Sequence, residues 1–147
     1  MRIQPSGAGP VNQRGLDCYD RLTDALLEAG ICPLPTLYHW DLPKELEDRG
    51  GWPNRDTAAR FADYAAMMGR ALGDRIENWS LFNESKAFTQ LSYWLGVFAP
   101  GRQDALAFLK DSHTINLDFV GLNYNLLTRV AASDLNSDIL GLNVTAD

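Results

Sequence analysis

Apolar residues recur at helical spacing from Leu16 through Tyr19, Leu22, Leu26 and Leu27, and Gly30 supplies a stop. This predicts a helix over about 16–29 behind a Gly/Pro/Asn-rich lead-in at 5–15, with the leucine stripe buried against a sheet. Ile31 to Tyr38 is an apolar run punctuated by Pro33 and Pro35. Proline cannot donate to a ladder, so the strand expected there is an edge, or pairs only through its latter half. A short acidic helix over Lys44 to Asp48 leads into the turn Gly50-Gly51-Trp52-Pro53. The clearest helix follows, with Asp56 as its expected N-cap, Ala58, Phe61, Ala65, Met68 and Leu72 on one face, and Gly73 at its end. Ile76 to Phe82 is apolar on both faces, as a buried parallel strand should be. A third helix over Gln103 to Lys110 and a third strand over Leu117 to Tyr124 complete the pattern. From Leu126 to Asp147, apolar clusters alternate with Asn, Asp, Ser and Gly, a pattern open to loop, short strand or poor order.

Alternating strands and helices favour a parallel sheet with right-handed crossovers. The first two strands end in polar residue types suited to sugars, His39-Trp40-Asp41 and Asn83-Glu84. Together they describe consecutive units of a parallel α/β barrel, whose chemistry lies at the carboxyl ends of the strands. A complete (β/α)8 barrel takes about 250 residues and at least roughly 200. The chain has 147. The expected fold is therefore α/β, a partial (β/α)8 TIM-barrel fragment. It would hold about three parallel strands with flanking helices, unclosed, in a single domain over 1–147.

Composition narrows the function. Hydrophobic residues at 46% and charged residues at 22% are globular values. A net charge of −6 argues against nucleic acid and against anionic membranes. No apolar run approaches the roughly 20 residues of a membrane span, and no signal-peptide core follows Met1, so the cytoplasm is the expected location. Cys18 and Cys32 flank one predicted helix and are expected as two buried free thiols. His39 and His113 are the only histidines, so no metal and no cofactor is expected. No Gly-x-Ser-x-Gly elbow supports a serine nucleophile.

Several motifs in fixed order resemble family-1 glycoside hydrolases, the β-glucosidase family. They are Val11-Asn12-Gln13-Arg14-Gly15-Leu16-Asp17-Cys18-Tyr19-Asp20-Arg21-Leu22, Thr36-Leu37-Tyr38-His39-Trp40-Asp41-Leu42-Pro43, Gly50-Gly51-Trp52, Phe61-Ala62-Asp63-Tyr64-Ala65, Gly73-Asp74-Arg75-Ile76-Glu77-Asn78-Trp79, Phe82-Asn83-Glu84 and Ala99-Pro100-Gly101. The likeness is nearly continuous over 1–101. Beyond it, 102–147 is a shortened region in which Asp118-Phe119-Val120-Gly121-Leu122-Asn123-Tyr124 looks like the family's sixth strand.

The resemblance implies hydrolysis of terminal β-D-glucosides or short β-linked oligosaccharides. Glu84 would be the acid/base, protonating the departing oxygen and later activating water. Asn83 would hold the sugar 2-hydroxyl, His39 another hydroxyl, and Trp40 would wall the subsite. Asn123 would join the same rim as a substrate-binding residue. An acid working near neutral pH needs a raised pKa, for which Trp79 and Phe82 are the expected apolar neighbours. Read alone, Asn83-Glu84 is a solvated strand end, His39 a core histidine, Trp79 core packing, and Asp41 a turn residue rather than a catalyst.

Some positions depart from the family pattern. The nucleophile motif Thr-Glu-Asn-Gly does not occur in these 147 residues, Ser85 stands where proline is usual, and Asn125 where a tyrosine is usual. An inverting-type route would need a second carboxylate about 6.5–9.5 Å from Glu84, with Asp41, Glu45, Asp134 and Asp138 as candidates. The alternatives are a non-catalytic sugar-binding remnant using His39, Trp40, Asn83 and Trp52, or an inactive pseudo-enzyme fragment. The expected partners are a small carbohydrate and further copies of the chain, joined through open strand edges.

Overall fold

A computed structural model describes residues 3–110 and 128–129. In chain order they form α1 (Gln13–Glu28), β1 (Thr36–Tyr38), α2 (Lys44–Asp48), α3 (Arg55–Leu72), β2 (Asn78–Phe82), α4 (Ser85–Thr89) running into a π-helical turn at Gln90–Trp94, α5 (105–110) and β3 (Thr128–Arg129).

Local chemistry sets most boundaries. α1 ends in paired bonds, Gly30 N–H to Leu27 O and Ile31 N–H to Leu26 O, at 2.9 and 2.8 Å. Gly30 at φ 74° supplies the left-handed residue that this termination needs. β1 begins late, as its prolines predict: Pro35 accepts from Ser80 N–H, but pairing in register starts at Thr36. β1 and β2 are parallel, with Thr36 opposite Ser80 and Tyr38 opposite Phe82. α3 starts two residues before expectation. Asn54 is the N-cap, its side chain accepting from Asp56 N–H at 3.1 Å, so Asp56 belongs to the first turn. The expected face of α3 is buried at all five positions.

The expected third strand, Leu117 to Tyr124, lies outside the described residues. β3 falls in the tail, where a short strand is one of the open readings, and runs antiparallel to β2, with Asn78 opposite Arg129 and Trp79 opposite Thr128. An open strand edge accepts a partner in either direction, and here two residues use it in the opposite sense. α4 and the π turn have no counterpart in the predicted pattern.

Two clusters form the core. One gathers Tyr38, Trp52, Phe61, Leu81, Phe88 and Tyr93, and the other Ile3, Met68, Leu72, Ile76 and Trp79. Their aromatic pairs meet edge to face, as Tyr38 does with Trp52 at 5.0 Å and with Phe88 at 5.3 Å. A polar lock joins α2 to the chain after the π turn. Tyr93 Oη donates to Glu47 Oε2 at 2.9 Å, and Arg102 pairs with the same carboxylate while lying over the Tyr93 ring. Gly51, at φ 66°, passes so close that a Cβ there would stand 2.2 Å from Glu47 Oε2.

α1 departs most from expectation. Leu22 is 50% exposed and Leu27 37%, so the leucine stripe is not buried against the sheet. β1 is only three residues long and lies at the sheet edge, leaving too little surface to cover the stripe. Ion pairs tie the helix down instead: Arg75 reaches both Asp20 and Asp24. Cys18 and Cys32 are free but exposed, which corrects the expected burial, because both sit on this uncovered side.

Candidate active site

The register of β1 and β2 places two chain exits side by side. His39 and Trp40 leave β1, and Asn83 and Glu84 leave β2. Asn83 N–H donates to Tyr38 O at 3.1 Å, continuing the pairing by one residue. Trp40 Nε1–H then donates to Asn83 O at 2.7 Å, bridging the two exits with a side chain. Both exits turn through left-handed backbone, Trp40 at φ 72° and Glu84 at φ 42°. Such angles are uncommon outside glycine and collect at functional sites.

The side chains form a short wall beside an exposed carboxylate. The ring centroids of His39 and Trp40 are 5.7 Å apart, and Trp40 lies 5.5 Å from Phe98 at an interplanar angle of 34°. Glu84 is exposed and precedes α4, its side chain making no capping bond. The apolar cover expected for it is directed elsewhere. Trp79 is buried with Ile3, Met68 and Leu72, its indole N–H bonded to Ile76 O, and Phe82 turns its ring to Phe61 at 4.7 Å. Strand alternation is the reason for Trp79, which faces the helices along with Leu81.

His39, Trp40, Asn83 and Glu84 thus share one rim, while Asn123 lies outside the described residues. Trp52 is fully buried in the core and is not available to a sugar. Phe98 was not foreseen. Its only signal was its place immediately before Ala99-Pro100-Gly101. Among the candidate second carboxylates, Asp41 is exposed directly after Trp40, and Glu45 accepts from Ser6 Oγ at 2.8 Å. Asp134 and Asp138 lie outside the described residues.

A cavity of about 600 Å³ opens on another side, between α1, residues 33–39 and α3. It reaches His39 and Asp41, but Trp40, Asn83 and Glu84 are not among its walls. Tyr64 is one of its walls, and burial pushes the Tyr64 phenol above its ordinary range, with a smaller push from Tyr19. The polar and aromatic rim at the strand ends and the apolar hollow beside the edge strand thus stay largely apart, sharing only His39.

The family model described as glycosyl hydrolase family 1 matches residues 1–131. The chain belongs to this family. Beta-glucosidase A of Acetivibrio thermocellus is 42% identical over 94% of the chain and 34% of that protein. Thermostable beta-glucosidase B of Thermobispora bispora is 54% identical over 78% of the chain and 24% of that protein. The family 1 β-glucosidase from Thermotoga maritima superposes with a TM-score of 0.76 at 45% identity, over 78% of the chain and 26% of that structure. The same enzyme is also known in complex with isofagomine lactam and with deoxynojirimycin. The chain spans about a third or less of the length of the curated relatives it matches. Its α/β architecture is accordingly a part of a (β/α)8 barrel, unclosed. Among the described residues, no helix is long and apolar enough to cross a membrane.

Proposed function

We propose that this chain carries the acid/base half of a β-glucosidase site, acting on terminal β-D-glucosides or short β-linked oligosaccharides. The observation that carries the reading is the shared rim, where Glu84 stands beside His39, Trp40 and Asn83, with one hydrogen bond joining the two strand exits. Membership of family 1 and the β-glucosidase names of relatives at 42–54% identity support the substrate class.

In this reading Glu84 in its protonated form gives its proton to the glycosidic oxygen as the bond to the anomeric carbon breaks. The resulting carboxylate then takes a proton from the incoming water. Asn83 holds the 2-hydroxyl, a contact that strengthens as positive charge develops on the ring. Trp40 and Phe98 offer flat faces to the C–H surface of a pyranose, and the His39 imidazole serves a hydroxyl. Asn123 joins the rim as a further sugar contact. The free, exposed thiols suit a reducing compartment and support a cytoplasmic placement.

Among the described residues the sheet has open edges, which favour self-association of the chain. A non-catalytic sugar-binding role is the second reading, favoured by the exposed position of Glu84, whose expected apolar neighbours are directed elsewhere. Hydrolysis of a β-linked glucose disaccharide, whose leaving group is a sugar alcohol, by wild type and Glu84→Gln prepared side by side separates the two. The acid/base reading expects the variant to be slower by about 10²- to 10⁴-fold. Equal rates would assign the turnover to a contaminating glycosidase and leave sugar binding as the better account.

A further inference from the structure

Phe98 reaches the rim from a loop whose two ends are tied to the same turn. Val97 and Phe98 N–H donate to Leu91 O at 2.8 and 3.2 Å. Arg102 N–H donates to Ser92 O at 3.0 Å, and Asp104 N–H to Tyr93 O at 2.9 Å. Gly101 N–H closes the far end on Phe98 O at 2.7 Å. The two arms cross at Gly96, at φ 65°, where a Cβ would stand 2.8 Å from Gln103 Cγ and 3.0 Å from Arg102 O. Residues 91–104 thus make one closed unit built on the π turn. The Phe98 ring is 42% exposed, so its place against Trp40 follows from where that unit sits.

One carboxylate fastens the unit to the β1 side of the rim. Glu47 lies in α2, shortly after Trp40. Its Oε2 accepts from Tyr93 Oη at 2.9 Å, Arg102 pairs with the same group, and Arg102 also donates to Glu47 O at 3.2 Å. Tyr93 is fully buried, and the Glu47 side chain is only 17% exposed. Ion pairs withdrawn from water in this way add little net stability, and apolar replacements are often as stable or more so. What the carboxylate supplies is direction. It accepts on both oxygens, so it holds a donor from the start of the loop and one from its end at once. We propose that Glu47 is a positioning residue of the rim: by clamping Tyr93 and Arg102 it sets the loop so that Phe98 meets Trp40. Three links then close a ring of contacts. Trp40 Nε1–H bonded to Asn83 O ties the two strand exits, Phe98 covers Trp40, and Glu47 ties the loop back to the segment that leaves Trp40. Opening the last link frees Phe98, one of the two flat faces offered to a sugar, and leaves the paired strands in place. The functional weight of the clamp rests on the rim being a sugar site, and not on proton donation by Glu84.

The test compares the whole chain with Glu47→Gln, Phe98→Ala and the two combined. Amide hydrogen exchange is followed together with the affinity for phenyl β-thioglucoside, whose sulfur link resists hydrolysis. Glu47→Gln should keep the helical circular dichroism and speed exchange at Phe98, Gly101 and Arg102 by about tenfold or more. Exchange at Asn83, whose N–H is bonded to Tyr38 O, should stay as it is. Glu47→Gln should also weaken thioglucoside binding by about tenfold, and add nothing once Phe98 is alanine, because its effect passes through that ring. Unchanged exchange at 97–102 overturns the proposal. So does exchange speeded equally at Asn83, which marks a general loss of stability, and so do additive losses of affinity in the double variant. If Glu47→Gln loses its helical signal, Tyr93→Phe carries the same test, since it deletes one hydroxyl and keeps the buried ring. A wild type that binds no thioglucoside overturns the sugar-site reading, and the exchange pattern alone then decides whether Glu47 clamps the loop.

Discussion

Trp40 and Glu84 each stand two residues beyond the last paired couple of the sheet, Tyr38 and Phe82, and each adopts a positive φ. Holding such residues left-handed costs about 1–3 kcal/mol apiece. The bond from the Trp40 indole to Asn83 O helps to hold both exits in this shape. The bends stop the strands together and leave the imidazole, indole and carboxylate at one rim. Tyr64 makes stability depend on pH in the alkaline range. Burial raises the Tyr64 phenol above its ordinary value of 10.0. Below that value both states keep the proton and its contribution is complete. Above it the unfolded chain ionises first, so stability falls until pH passes the raised folded value. Urea titrations at about pH 8 and about pH 11 should therefore show wild type losing more stability than Tyr64→Phe. Equal losses would place the Tyr64 ring in a more solvated setting than the one described.

At the scale of elements, α1 is held by charge where a helix is ordinarily held by its apolar face. Arg75 donates to Asp20, Asp24 and Asp74 and is kept protonated by all three, so its hold on α1 is insensitive to pH across the physiological range. It should be sensitive to salt, because the screening length shrinks to about 3 Å at 1 M. Arg75→Met should speed amide exchange in α1 at low salt, and high salt should bring wild type towards the variant. No difference at low salt would mean that packing holds the helix. These elements also mark how far the sequence could be read. α3 was legible because its five apolar positions keep strict helical spacing and all are buried. Its cap was misplaced because Asn54 and Asp56 are both capping types, and the turn through Gly51 decides between them. α4 and the π turn escaped notice because Thr89 and Ser92 are fully buried polar residues, which blur the apolar face, and the wider turn breaks the period. The leucine stripe was correctly read as helical. Its burial depended on a neighbouring surface that the described residues do not supply.

At the scale of the molecule, strand ends were enough to locate the rim, because consecutive parallel units deliver their exits to the same side. Phe98 was beyond reach of that reasoning, since it arrives from a loop with no periodic signal. Among the described residues the same partial wall that builds a rim leaves strand edges and apolar hollows open, and the expected outcome is self-association at micromolar concentration. Sedimentation showing only a compact monomer would count against this. Catalysis is the property that most tests the whole account, and its central claim is that Glu84 donates a proton to the leaving group. The most direct measurement compares Glu84→Gln with wild type on two β-glucosides, one releasing a nitrophenolate and one releasing a sugar alcohol. A nitrophenolate departs with little need of a proton, so the account predicts a small defect on the first and one of about 10²- to 10⁴-fold on the second. Equal defects on both substrates, or none on either, would contradict it.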